Sequence, residues 1–158
     1  MTNAKQHAHP VAPTSTVVAT WRGGQRYDIA RPGGPTTTLD GAGKEGTGPV
    51  DALLGALASC SAIDVEDYLV KRRTPPDRLT VTVRADRRAE LPRRVMRAHL
   101  EFSVDGAGIE PAHAVRAVAL SIHQYCSVAA SLASDLVIET SVVVNGTPAS
   151  KAEPAISA

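Results

Sequence analysis

The chain has 158 residues, 43% of them hydrophobic, which is enough for one compact domain with its own apolar core. Its net charge is +1, from 17 Lys and Arg against 16 Asp and Glu, so no strong positive field would draw it to nucleic acid or an anionic membrane. The N-terminal residues lack a signal-peptide core, and no apolar run approaches the roughly 18 residues of a membrane span. We therefore expect a soluble, cytoplasmic protein with neither nucleic acid nor membrane as a partner.

The two ends of the chain differ in composition from its middle. Residues 1–15 and 146–158 are rich in Pro, Ala, Ser, Thr and Lys and show no hydrophobic periodicity. Such segments cannot bury enough apolar surface to offset the entropy of ordering them. We predict disordered tails on either side of a single domain that covers residues 16–145.

The first part of that domain has the pattern of short strands. The stretches TSTVVATWRG, QRYDIARPGG and PTTTLDG are rich in β-branched residues and are separated by glycine-rich turns. This pattern predicts a three-stranded antiparallel meander. The loop DGAGKEGTGP follows, and it lacks the Lys-Ser/Thr pair of a phosphate-binding loop, so we do not expect a nucleotide site.

A long helix is predicted from Pro49 to about Arg73. Proline suits the first helical position, Asp51 favours the positive first turn, and Pro75 ends the helix beyond a basic last turn. The residues with three- and four-residue spacing that define its apolar face include Leu53, Leu54, Leu57, Val65 and Leu69.

The remaining residues predict a hairpin, a second helix and a final strand. RLTVTVRADRRAE and RRVMRAHLEFSVDG alternate in the manner of paired strands, and their arginines are typical of a solvated face. EPAHAVRAVALSIHQYC predicts a helix, residues 128–132 a helical turn, and DLVIETSVVVNG a strand. The order β-β-β-α-β-β-α-β places the chain in the α+β class.

The chain has two cysteines, Cys60 in the long helix and Cys126 after the second helix. They can form a bridge, react or simply pack, and a permanent disulfide is unusual in the cytosol. Cys60 lies eleven residues after Pro49, about 16 Å along the axis, so the helix N-terminus cannot activate its thiol. Asp64, one turn later, would oppose ionisation if it pointed at the sulfur. Local sequence alone therefore favours a packing role for Cys60.

A metal site has little support in the sequence. His123 and Cys126 have a spacing that would let them share an ion. Zinc usually takes three or four protein ligands, and no further ligands stand out. We predict neither a metal nor a cofactor.

Three segments resemble the OsmC/Ohr family, over about residues 17–145. GPVDALLGALASCSAIDV is similar to the family's central cysteine helix, YCSV to its second cysteine region, and WRGGQRY to an early Gly-Gly-x-Arg stretch. The resemblance implies an OsmC-like fold in an intertwined homodimer. It also implies a thiol-dependent peroxidase that reduces organic hydroperoxides and is regenerated by an external dithiol reductant.

The resemblance assigns a role to four residues. Cys60 would be the peroxidatic cysteine and Cys126 the resolving cysteine, which together form a disulfide. Arg26 would lower the pKa of the Cys60 thiol, and Asp51, at the family's glutamate position, would hold Arg26. Asp51 and Cys60 are nine residues apart, about 13 Å on one helix, so we expect a partner chain to contribute to each site.

Some positions depart from the family pattern. Asp51 is one methylene shorter than glutamate, Ser127 stands where better-known members have proline, and Arg22 and Arg31 are alternatives to Arg26. A non-catalytic small-molecule binding protein or a redox sensor with the same fold is the alternative hypothesis.

Overall fold

The structure is a computed structural model that describes the backbone of residues 14–155 and side chains as far as residue 150. Within these residues the chain divides into two compact units, one ending at Pro49 and the other beginning at Val50. No helix in the described part of the chain is both long and apolar enough to cross a bilayer. The architecture is mixed α+β, as predicted.

The first unit is the predicted three-stranded meander. Strands β1 (Val18–Trp21), β2 (Arg26–Ala30) and β3 (Thr37–Asp40) pair antiparallel in the order β1-β2-β3. The turn between β1 and β2 needs positive φ at Gly23 and Gly24, at 101° and 59°, a conformation that glycine adopts without steric cost.

The glycine-dense loop after β3 folds around Asp40. The buried Asp40 carboxylate accepts backbone N–H bonds from Ala42 at 2.9 Å, and from Lys44 and Glu45 at 3.0 Å each. The N–H groups of Glu45 and Ala42 hold the pKa of Asp40 below its ordinary value because they stabilise the ionised carboxylate. The loop thus has a defined anchor within the first unit.

The second unit combines helices with a four-stranded sheet. Its elements in chain order are α1 (Pro49–Lys71), β4 (Arg78–Arg87), β5 (Val95–Asp105), α2 (Pro111–Leu120), a π-helical turn (Ser121–Tyr125), α3 (Ser127–Ala130), β6 (Val137–Val144) and β7 (Thr147–Ala155). The sheet order is β4-β5-β6-β7. Strands β5 and β6 are parallel, so the helical segment between them forms a crossover connection.

The core of this unit lies where the helices meet alternate residues of the sheet. Alternation along β5 buries every second side chain, from Ala98 to Val104, while the residues between them are less buried. The helix α1 ends at Lys71, and Arg73 adopts a φ of 65° just before Pro75. The fully buried apolar side chains are Leu57, Val65, Leu69, Ala98, Leu100, Phe102, Val104 and Ala114.

Basic side chains of the β4–β5 region lie towards solvent and pair with acidic ones. Arg78 contacts Asp105 at 2.7 Å, and Arg97 pairs with Glu139 on the neighbouring strand. This agrees with the solvated face that the sequence predicts.

The predicted C-terminal tail at 146–158 is wrong for residues 147–155, which form β7 along β6. Asn145 and Gly146 have φ of 48° and 77°, as in the tight turns that favour hairpins, so the Asn-Gly pair was a usable signal. Pro148 fits this strand because β7 occupies an edge of the described sheet. Residues 1–13 and 156–158 lie outside the described residues.

Candidate functional site

The structure brings the two cysteines together within the second unit. Three atoms lie within 4.8 Å of one another: the Cys60 sulfur, the Cys126 sulfur and one carboxylate oxygen of Asp64. Both thiols are free. Cys60 is half-buried in α1, whereas Cys126 is only 2% exposed.

The position of Cys126 depends on the irregular end of the second helical segment. The π-helical turn closes with a hydrogen bond of 2.8 Å from the Cys126 N–H to the Ser121 carbonyl. Cys126 then leaves the helix with φ −67° and ψ 100°, and its sulfur caps α3 by accepting the Ala129 N–H at 3.4 Å. Single π-turns of this kind are often found at functional sites.

Two buried serines surround the sulfur and the carboxylate. The Ser61 hydroxyl donates to the Leu57 carbonyl at 2.8 Å, and its oxygen lies 3.5 Å from the Cys126 sulfur. The Ser121 hydroxyl lies 2.9 Å from Asp64 Oδ2, to which it donates, and 3.3 Å from the Ser61 carbonyl. The Asp64 carboxylate is therefore fixed beside the thiols by a neighbouring element.

The surroundings of Cys60 in this unit favour the neutral thiol. Burial is the main cause that raises the pKa of Cys60, and its hydrogen bond with Cys126 and its electrostatic interactions with Cys126 and the Asp64 carboxylate raise it further. The Val128 backbone N–H acts in the opposite direction, because it stabilises the thiolate. Asp64 thus acts on Cys60 in the direction that the sequence predicts.

Arg26 lies in the first unit, where its guanidinium group pairs with Glu45. Sequence reasoning did not single out Glu45, since nothing in a glycine-dense loop marks one carboxylate as a partner for a strand residue. Arg22, an alternative to Arg26, lies 3.2 Å from Asp28. The assignment of Arg26 to the Cys60 thiol stays a prediction.

Asp51 is exposed in the first turn of α1. It precedes Cys60 by nine residues on one continuous helix. At about 100° per residue this is about two and a half turns, so the two side chains leave opposite faces of α1. Asp51 therefore cannot flank the sulfur of Cys60 in its own helix, and its role stays a prediction.

Among the described residues, one group of potential metal ligands lies close enough together to hold an ion, and it consists of Cys60, Asp64 and Cys126. They supply three protein ligands, one fewer than a closed tetrahedral zinc site needs. His123, the partner considered for Cys126, is exposed and is not in this cluster. The expected absence of a metal stays a prediction.

An apolar cavity of about 210 Å³ lies next to α1 within the second unit. Leu53 and Leu57 line it, and they precede Cys60 by seven and three residues, which places them on the same side of the helix. The other lining residues are Val50, Leu54, Arg93, Arg94, Val95, Leu132, Ala133 and Leu136.

Comparison with known proteins gives a consistent result. Residues 41–141, more than half of the chain, match the family model described as OsmC-like protein. Protein YhfA of Escherichia coli K12 is 39% identical over 95 residues, which are 60% of this chain and 71% of YhfA.

Solved structures share the fold. The OsmC-like protein of Mycoplasma pneumoniae has a TM-score of 0.72 at 17% identity, covering 85% of this chain and 99% of that one. The organic hydroperoxide resistance protein OhrB of Bacillus subtilis has a TM-score of 0.56 at 18% identity, covering 82% and 98%.

Proposed function

Because the chain belongs to the OsmC-like protein family, we propose that it is a thiol-dependent peroxidase that reduces organic hydroperoxides to alcohols. The observation that supports this most directly is the proximity of two free thiols, Cys60 and Cys126, in one cluster within 4.8 Å. A redox or peroxide-related role agrees with the family, which includes proteins named for organic hydroperoxide resistance.

The proposed reaction has two chemical steps and a regeneration. The Cys60 thiolate attacks one peroxide oxygen, the O–O bond breaks, and the alkoxide leaves as an alcohol after taking a proton. Cys60 becomes a sulfenic acid. The Cys126 sulfur then attacks the Cys60 sulfur, water leaves, and the disulfide is reduced by an external dithiol.

The thiolate needs a cation, because burial, the neighbouring Cys126 and the Asp64 carboxylate all raise the pKa of Cys60 within its own unit. We assign this role to Arg26, with Asp51 as its anchor. Since Asp51 and Cys60 leave opposite faces of α1, the Asp51 that serves one Cys60 comes from a second copy of the chain.

A homodimer would also cover apolar side chains that the single chain exposes. Trp21 in β1 is 63% exposed, and Ile63 in α1 is 59% exposed. A partner that covered such side chains would remove apolar surface from water, which favours association. Sedimentation equilibrium on the reduced protein measures the mass directly, and a monomer at micromolar concentration would contradict this arrangement.

The apolar cavity beside α1 fits the carbon chain of an organic hydroperoxide. Leu53 and Leu57 lead along the helix towards Cys60, so a peroxide group at the sulfur would leave its alkyl part on that side. Apolar lining favours organic hydroperoxides over hydrogen peroxide because only the former bury hydrocarbon.

The raised pKa of Cys60 is the observation that favours the alternative, a non-catalytic small-molecule binding protein or a redox sensor. A thiol that stays neutral at pH 7 reacts slowly with peroxides. The two functions predict different results with a dithiol reductant. A peroxidase consumes hydroperoxide over many turnovers, whereas a binding protein or a sensor does not.

Stopped-flow measurement of cumene hydroperoxide and hydrogen peroxide consumption separates these functions. We expect fast consumption by the wild type, none by Cys60→Ser, and a single turnover without disulfide by Cys126→Ser. Retained activity in Cys60→Ser would contradict the assignment, and an inactive wild type would favour the binding protein. Equal rates for the two peroxides would argue against the cavity as the substrate site.

A further inference from the structure

Asp64 is a negative charge placed against the two thiols that the proposed reaction uses. Its carboxylate lies within 4.8 Å of both sulfurs and opposes ionisation of Cys60. In the first chemical step this charge is a disadvantage, because the reactive species is the thiolate. The second step has a different requirement, since a proton must leave Cys126 and a hydroxide must leave Cys60.

We propose that Asp64 carries the proton in the disulfide-forming step. Its carboxylate accepts the proton of the Cys126 thiol as that sulfur attacks the Cys60 sulfenic acid, and it then delivers the proton to the departing hydroxide. The Cys126 S–H and Cys60 S–O bonds break, an S–S bond and a water O–H bond form, and Asp64 ends ionised. Two electrons pass from the Cys126 sulfur to the Cys60 sulfenic acid, so no further reagent is required. This inference rests on the proposed peroxidase function.

The hydrogen bonds of the site suit this task. The Ser121 hydroxyl donates to Asp64 Oδ2 at 2.9 Å. Among the described residues no donor bonds to Oδ1, which leaves that oxygen for a thiol proton. One carboxylate oxygen thus orients the group, and the other would accept the proton once the Cys126 sulfur comes within hydrogen-bond reach of it.

The position of Asp64 does not depend on a mobile loop. It lies in α1 one turn after Cys60, and Ser121 belongs to the segment that also positions Cys126. The same two elements that bring the sulfurs together therefore bring the carboxylate to both. A proton acceptor placed by rigid elements requires little reorganisation during the reaction.

The test is the variant Asp64→Asn, which keeps a similar shape and an oxygen for the Ser121 hydroxyl but loses the charge. We expect opposite effects on the two steps. Sulfenic acid formation becomes faster at pH 7, because the charge that opposes the thiolate is gone. Disulfide formation becomes slower by about a hundredfold, because proton transfer by a positioned group typically contributes that much or more. A side chain that only supported the fold would not move the two rates in opposite directions.

Single-turnover quenched flow with one equivalent of cumene hydroperoxide measures both steps. Dimedone labels the sulfenic acid, and mass spectrometry counts the label and the disulfide at each time. Asp67→Asn is the matched control, since Asp67 is exposed on the same helix and the charge change is identical. We expect this control to leave both rates as in the wild type.

The outcomes separate this inference from the proposed function. A wild type that does not consume the hydroperoxide removes the peroxidase itself. A wild type that reacts, combined with an unchanged disulfide-forming rate in Asp64→Asn, overturns the role of Asp64 alone. If Asp64→Asn does not fold, Ser121→Ala gives the same test, because losing the orienting hydrogen bond should slow disulfide formation and leave sulfenic acid formation unslowed.

Discussion

The oxygen of the Ser61 hydroxyl lies 3.5 Å from the sulfur of Cys126, while its proton is donated to the Leu57 carbonyl at 2.8 Å. A hydroxyl has one proton, so it can donate to the Leu57 carbonyl or to the Cys126 sulfur, and both acceptors lie within reach. Rotation of the hydroxyl would let it donate to a Cys126 thiolate instead. Ser61 can therefore serve both protonation states of Cys126 during the proposed reaction.

Substitution of Ser61 by alanine should slow disulfide formation about fivefold, because one hydrogen bond to the reacting sulfur, about 1 kcal/mol, is lost. The melting temperature should change little, since alanine leaves no buried polar atom behind. Single-turnover disulfide formation measures the effect. Ser59→Ala is the control, because the Ser59 hydroxyl is exposed and bonds only its own helix, at the Ala56 carbonyl. An equal slowing in both variants would contradict the role of Ser61.

Oxidation of the protein should link Cys60 to Cys126 within one chain. The sulfurs start within 4.8 Å, so a modest movement reaches the S–S bond length of about 2.05 Å. Mass spectrometry after one equivalent of hydroperoxide should show the loss of two hydrogens and no covalent dimer. Closing a loop of this length should raise the free energy of unfolding by about 4 kcal/mol, as measured by urea denaturation of oxidised and reduced protein. A disulfide-linked dimer as the main product would contradict the pairing.

Removal of the guanidinium group at position 26 tests the proposed cation. In a Cys126→Ser background, Arg26→Ala should slow iodoacetamide alkylation of Cys60 at pH 7 by about tenfold, which corresponds to one pKa unit. The alkylation rate should then rise only at alkaline pH, because burial raises the pKa of Cys60 and the thiolate appears above that value.

Arg22→Ala in the same background is the matched control for Arg26→Ala. Arg22 carries the same charge in the first unit, and its side chain is more exposed than that of Arg26, at 62% against 37%. We expect its alkylation profile to follow that of the parent. If Arg22→Ala slowed Cys60 alkylation at pH 7 and Arg26→Ala did not, Arg22 and not Arg26 would be the cation that stabilises the Cys60 thiolate.

The Asp40 carboxylate should control the order of the loop that follows β3. Asp40→Asn should speed hydrogen exchange at the amides of Ala42, Lys44 and Glu45 by about tenfold, because hydrogen bonds to a charged acceptor are the stronger kind. In the wild type, the folded pKa of Asp40 is below the ordinary 3.8, so its stabilisation is present above that pH and is lost as the pH falls through the folded value. Asp28→Asn should leave these amides unchanged, and similar exchange in Asp40→Asn and wild type would contradict the anchor.

Most of the fold could be predicted because its signals are local. Pro49 and the apolar spacing after it mark α1, and glycine pairs mark the meander. The error at β7 arose because Pro148 and polar neighbours mask a strand that owes its stability to pairing with β6. Asn145 and Gly146 carried the local signal, but the strand itself is formed by contacts distant in sequence.

The candidate site also has a part that the sequence predicts and a part that it does not. Cys60 and Asp64 are one helical turn apart, so the opposition between them follows from the sequence. Ser121 and the Val128 N–H belong to the crossover connection between β5 and β6, which brings them to the site. No local sequence pattern predicts their contacts with Asp64 and Cys60. The pairing of Cys60 with Cys126 came from the family resemblance, since spacing alone left bridging, reaction and packing open.

The edge position of β7 also bears on how copies of the chain can meet. A proline offers no N–H to a strand arriving from outside, and β7 contains Pro148 and Pro154. The opposite edge strand, β4, carries Arg78, Arg84 and Arg87. Among the described strands, both borders of this sheet therefore carry features that discourage the addition of another strand, and so discourage open-ended aggregation.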